Sequence, residues 1–131
     1  MVTRSSRYGF SATVTSLIAA LERRGLTVFA QVDHAAGAAE VGLELGDEMV
    51  LSFGNPRSGT PLMQADRRVG IELPLRILIW RDGDQVWLGY VDPHALAETY
   101  RLAGHEATLD QMAGLLDALA TEASGAASSL P

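Results

Sequence analysis

The chain has 131 residues, 47% of them hydrophobic, with a formal charge of −6 and a pI near 4.9. That length carries one core without disulfide or metal staples, and the absence of cysteine excludes disulfides, thiolate metal sites and thiol nucleophiles while fitting a reducing cytoplasm. All ten basic residues are arginines scattered through an acidic chain, so no nucleic-acid partner is expected.

The first residues, MVTRSSRYGF, contain basic groups but no apolar leader, and no apolar run approaches the roughly 18 residues of a membrane span. A soluble cytoplasmic protein with no membrane partner is expected. In chain order, Tyr8 to Phe10 reads as a short first strand. Ser11 or Thr13 can cap a helix whose apolar positions Val14, Leu17, Ile18 and Leu21 recur at helical spacing and which Gly25 ends. Leu26 to Val32 alternates as a second strand. Asp33 then caps a short alanine-rich helix from His34 to about Val41.

Met49, Leu51 and Phe53 alternate in a third strand that ends at Gly54-Asn55-Pro56. Thr60 followed by Pro61 matches a cap and first-turn pair, which predicts a helix from Pro61 to about Arg68. Leu75 to Trp80 and Gln85 to Val91 flank Asp82-Gly83-Asp84 as an antiparallel hairpin. Asp92-Pro93 opens a helix carrying Leu96, Ala97 and Tyr100. Thr108 and Gln111 read as a capping box before a last helix with Leu109, Met112, Leu116, Leu119 and Ala123 on one face. The order β-α-β-α-β-α-β-β-α-α predicts an α+β fold, a mixed β-sheet with helices packed on it. Residues 1–123 form the single domain and 124–131 a flexible C-terminal tail.

The stretches VDHAAGAAEVGLEL, LSFGNPRSGTPLM and LPLRILIW followed by VWLGY resemble the domain of unknown function 302 family over about residues 8–122. The FGNP-x-x-GTPLM string is the most specific part. The resemblance implies a compact α+β domain found mostly in bacteria, alone or fused to other modules, with dimeric relatives and no established activity. It also implies that Asp33-His34 and Gly54 through Met63 belong to the family signature.

Those positions have chemistry of their own. An imidazole at the first position of a helix, as at His34, tends to stay neutral and can take a proton or bind a ligand, although Asp33 and His34 could serve only as cap and loop contact. Asn55 precedes a proline and can point its carboxamide into a cleft. Gly59-Thr60-Pro61 would offer free amides to an anion at a helix start, or else form a rigid connection. Glu72 between Ile71 and Leu73 is a general-base candidate or an edge-strand carboxylate, and Arg76 could pair with it. Trp80, Trp87 and Tyr90 could wall a ligand or a dimer interface, or pack in the core.

The three histidines His34, His94 and His105 lack ligand spacing, and no glycine-lysine phosphate loop or serine elbow is present, so no metal site is expected and no cofactor is specified. The leading expectation is a homodimer that binds a small polar or anionic ligand in a pocket between residues 33–34 and 54–63, using Asp33, His34, Asn55, Thr60 and Arg76. The alternatives are an enzyme with His34 or Glu72 as general base, and a structural or dimerisation module.

Overall fold

The computed structural model describes residues 1–126. Five strands, β1 (Val2–Ser5), β2 (Thr27–Asp33), β3 (Glu48–Gly54), β4 (Leu75–Asp82) and β5 (Gln85–Tyr90), form one sheet in the order β1-β5-β4-β3-β2. Five helices accompany them: α1 (Phe10–Arg23), α2 (His34–Glu40), α3 (Pro56–Ala65), α4 (Leu96–Thr99) and α5 (Glu106–Ala123). The α+β class and the element order are as expected. Every strand pairing is antiparallel, however, so the sheet is not mixed: the helical connections join antiparallel strands rather than making parallel crossovers.

The first strand is Val2–Ser5, not Tyr8–Phe10. It pairs with β5, placing Val2 opposite Tyr90 and Ser5 opposite Trp87, and Tyr8 falls in the turn before α1. That turn is fixed by Thr13, whose buried hydroxyl donates to the Gly9 carbonyl at 2.8 Å and shares a hydrogen bond of 2.7 Å with Ser6 Oγ. Thr13 therefore sits inside α1, and Gly9 takes the cap position.

Alternation along β3 and β4 turns Leu51, Phe53, Ile77 and Ile79 to one face, where they are fully buried against Leu17 and Leu21 of α1 and Leu116 and Leu119 of α5. The two helices lie side by side on this face. Exposed ion pairs join their ends to neighbours: Arg23 and Arg24 to Glu122, and Arg4 to Asp117. The face expected for α5 is the one it buries, from Leu109 to Ala123, but its start is not a capping box. The helix begins at Glu106, so Thr108 and Gln111 are already inside it. The helix closes through Ser124, Gly125 at φ +69° and Ala126, with Arg7 N–H donating to the buried Ser124 carbonyl at 2.9 Å. Residues 127–131, the rest of the expected tail, lie outside the described residues.

The opposite face carries Val50, Leu78, Trp80 and Trp87, all half-buried. Trp80 and Trp87 are cross-strand partners stacked at 6.5 Å between centroids, with 19° between planes. Tyr90 does not join them, since it lies in the helix-covered core.

Asp92-Pro93 opens a 3-10 turn, Pro93–Ala95, followed by the single turn of α4. His94 staples this turn to α5, with Nδ1 at 2.7 Å from Asp92 and Nε2 at 2.6 Å from Asp110. The two carboxylates, Asp110 foremost, raise the imidazole above its ordinary 6.5, and the His94 contacts lower Asp92 below 3.8. The raised histidine contributes stability fully below pH 6.5 and loses it as pH rises through the raised value. The lowered aspartate contributes above pH 3.8 and loses its share as pH falls. His94→Gln should therefore lower the melting temperature most between pH 3.8 and 6.5, and the difference from wild type should shrink in calorimetry as pH rises through the raised histidine value.

Candidate functional site

The signature stretch leaves β3 at Gly54 and enters α3 at once. Asn55 is extended (φ −137°, ψ 123°), and its side-chain oxygen accepts from Arg57 N–H at 2.9 Å, while Pro56 takes the first helical position, where no N–H is needed. The helix thus starts five residues before the expected Thr60-Pro61, because Asn55-Pro56 is an equally good cap pair and comes first. Pro61 lies inside α3. The Gly59 amide donates to the Asn55 carbonyl at 3.3 Å, so Gly59 to Pro61 do not present a free helix start to an anion.

Asp66 ends α3 and caps the 3-10 turn Arg67–Glu72. Its carboxylate accepts from Arg68 N–H, from the Arg68 guanidinium at 3.1 and 2.8 Å, and from Arg101 N–H at 3.0 Å. The Arg68 guanidinium first, then the Arg101 amide, hold this carboxyl far below the usual range. Asp66 thereby ties α3, the 3-10 turn and the segment after α4 into one wall. Asp66→Asn should lower the melting temperature at neutral pH. Because a depressed carboxylate contributes above its unfolded 3.8 and less as pH falls, the deficit should shrink in acid.

Between this wall, the strand ends and the middle of α5 lies a cavity of about 490 Å³. Its body is apolar, built from Leu26, Met63, Leu73, Leu75, Met112 and Leu115, and its polar groups are Arg24, Asn55, Ser58, Thr60 and Gln111. Two glycines let the walls approach: a Cβ on Gly70 would stand 3.2 Å from Met63 Sδ, and one on Gly59 would stand 3.4 Å from Leu73 Cδ1. Phe29 lines the same cavity from the edge strand. The β2–β3 register shifts between Val28, opposite Phe53, and Ala30, opposite Ser52, so Phe29 is the extra residue of a bulge. Bulges re-aim side chains, and here the ring lies beside Gly54.

A second groove, of about 370 Å³, is lined by His34, Glu48, Val50, Glu72, Arg76 and Leu78 among others. The expected site residues divide between the two. Asn55 and Thr60 line the first cavity, whereas His34, Glu72 and Arg76 line the second. Asp33 lines neither and caps α2 through a hydrogen bond of 2.9 Å from Ala36 N–H. Asp33 pairs with Met49 while Thr27 pairs with Gly54, so residues 33–34 and the stretch from Gly54 onward occupy opposite ends of the β2–β3 pair, about 20 Å apart along the strand. A pocket shared by residues 33–34 and 54–63 is therefore not formed. Glu72 does not pair with Arg76 either. It accepts from Tyr100 O–H at 3.3 Å, and burial followed by the Glu72 charge raises the Tyr100 phenol.

Sequence reasoning misses Arg24, Phe29, Gln111 and Met112 as cavity residues and Asp66 as the tie. Asp66-Arg67-Arg68 after a helix carries a cap signal that is readable in principle. Nothing local marks the bulge or the approach of α5. Among the described residues no three histidine or acidic side chains gather as metal ligands.

The architecture defines an α+β domain with an open antiparallel sheet, two helices on one face and an apolar cavity at one sheet end. The chain belongs to the family described as Domain of unknown function DUF302, whose profile matches residues 2–119. A crystal structure of an uncharacterized conserved DUF302 protein from Bacillus stearothermophilus superposes with a TM-score of 0.80 over 93% of this chain and 96% of that one, at 19% identity. Curated relatives include proteins named fluoride-specific ion channel FluC 1 from Brucella suis and from Brucella abortus. Each is 44% identical over 103 residues, which is 78% of this chain but 41% and 38% of theirs. The chain thus spans about two fifths of the length of the curated relatives it matches. Among the described residues no helix is long and apolar enough to cross a membrane.

Proposed function

We propose that this chain is a cytoplasmic accessory domain that binds a small, mainly apolar organic molecule in the cavity behind residues 54–63. The observation that carries this reading is that the stretch from Gly54 to Met63 builds much of the cavity: Gly54, Asn55, Pro56, Ser58, Gly59, Thr60 and Met63 all line it. Its volume lies within the roughly 300–1,000 Å³ of small-molecule sites, and a largely apolar lining with a few polar groups is the usual composition of such sites. The lining favours an apolar body over the wholly polar ligand that the loop residues alone suggest. The channel-named relatives fit an accessory role, because this chain matches only about two fifths of their length. A thermal-shift screen of small organic molecules tests the proposal. A binder at 100 times its Kd adds about 2.7 kcal/mol of stability, and its shift should survive His34→Ala. A library in which every hit loses its shift in His34→Ala, or which yields no hit, argues against the cavity.

Hits that all lose their shift in His34→Ala would favour the second reading, an enzyme working in the groove that His34 and Glu72 both line. Turnover abolished by His34→Gln with stability unchanged is its signature.

The homodimer proposal rests on the β2 edge of the sheet. Strand β2 is an edge strand, mostly exposed, and the segment beyond it bears Val41 at 71%, Leu43 at 65% and Leu45 at 48% exposure. An open strand beside exposed apolar side chains fits a second copy of the chain. Light scattering should give a dimer mass for wild type and a monomer for Val41→Glu with Leu43→Glu. A monomeric wild type at micromolar concentration removes the proposal.

A further inference from the structure

We infer, resting on the cavity reading above, that the ligand is an amphipathic organic monoanion whose negatively charged head is received by Arg24 while its apolar body fills the space between Met63 and Met112. Among the residues lining the cavity Arg24 alone is charged, and no carboxylate lines it, although the chain as a whole carries −6. The sole charged residue of an apolar lining biases the sign of what enters, even with one side of its guanidinium tied to Glu122.

Arg24 also has donors to spare. Its Nη1 donates to the Ala20 carbonyl at 3.2 Å and to the Glu122 carboxylate, which anchors the side chain at the end of α1. Among the described residues its Nε and Nη2 make no hydrogen bond, and two parallel N–H groups match a carboxylate or a sulfonate bidentately. Charge balance points the same way: Arg23 and Arg24 share the single carboxylate of Glu122, which leaves one positive charge at the rim. Two methionines adapt the body of the cavity to chains of different shape, and Phe29, lifted by the bulge, closes over the side toward β2. Asn55, Thr60 and Gln111 offer the head neutral hydrogen bonds but no competing charge.

Octanoate and octan-1-ol serve as probes, the same chain with and without charge, titrated calorimetrically into wild type, Arg24→Gln, Arg24→Lys and Met63→Trp. Removing a charge-assisted hydrogen bond from the head weakens affinity by about tenfold. Octanoate should bind wild type about tenfold more tightly than octan-1-ol, lose that advantage in Arg24→Gln, recover part of it in Arg24→Lys and fail to bind Met63→Trp. Equal binding of the two probes by wild type, with both abolished in Met63→Trp, overturns the anion assignment and leaves the cavity standing. If neither probe binds, or if both bind Met63→Trp as they bind wild type, the cavity reading fails with it.

Discussion

Met63→Trp should abolish ligand binding while leaving the fold in place. Met63 lies half-buried on α3 at the cavity wall, its sulfur close against Gly70 and its side chain at the edge of the core cluster of Leu62, Val69, Leu96 and Leu109. Met63 also lines the cavity, so an indole at position 63 has that space to grow into. Well-packed interiors resist added volume at about 1–3 kcal/mol, but a cavity of about 490 Å³ takes it with little strain. The expected result is loss of binding by at least about a hundredfold, equivalent to about 2.7 kcal/mol, with a melting temperature close to wild type. Titration of any screening hit into the two proteins measures it.

Phe53→Ala is the complementary change, costing stability without touching the cavity lining. Phe53 is fully buried on β3 between β2 and β4, opposite Val28 and Leu75, within the cluster that joins the sheet to α1 and α5. Truncating a buried phenylalanine costs about 3–5 kcal/mol from lost transfer energy and the void left behind. Against a total of about 5–15 kcal/mol for a typical domain, that is a large share. Chemical denaturation should show the midpoint falling steeply with an unchanged slope. A loss below about 1 kcal/mol would mean that the sheet and the helices do not share this core.

What can be read in the sequence follows from the range of the interactions involved. Leu109 to Ala123 and the hairpin around Gly83 announce themselves because the period and the turn lie within a few residues. Strand β1 does not, since its partner is β5, far along the chain, and Val2 to Ser5 carries no apolar alternation to mark it. The start of α3 is ambiguous for a local reason: Asn55-Pro56 and Thr60-Pro61 both satisfy the cap rule, and the earlier one, closing directly off β3, is used.

The site is half legible. The signature from Gly54 to Met63 stands out on composition, and it does line a cavity. The expected opposite wall at Asp33-His34 is wrong because the β2–β3 register sends those residues to the other end of the strands. The true opposite wall comes from Met112 and Leu115 of α5, more than forty residues downstream, and Arg24 closes the rim from the end of α1. Neither has a local signal, because they meet the signature only once the helices have packed on the sheet.

The central claim is that ligands enter the cavity behind the signature. Backbone amide chemical shifts recorded during a titration with octanoate test it most directly. Perturbations concentrated at residues 54–63, 70–75 and 111–115, with Arg24 among them, are the predicted result. Perturbations confined to His34, Glu48 and Arg76, or spread evenly over the surface, would contradict it.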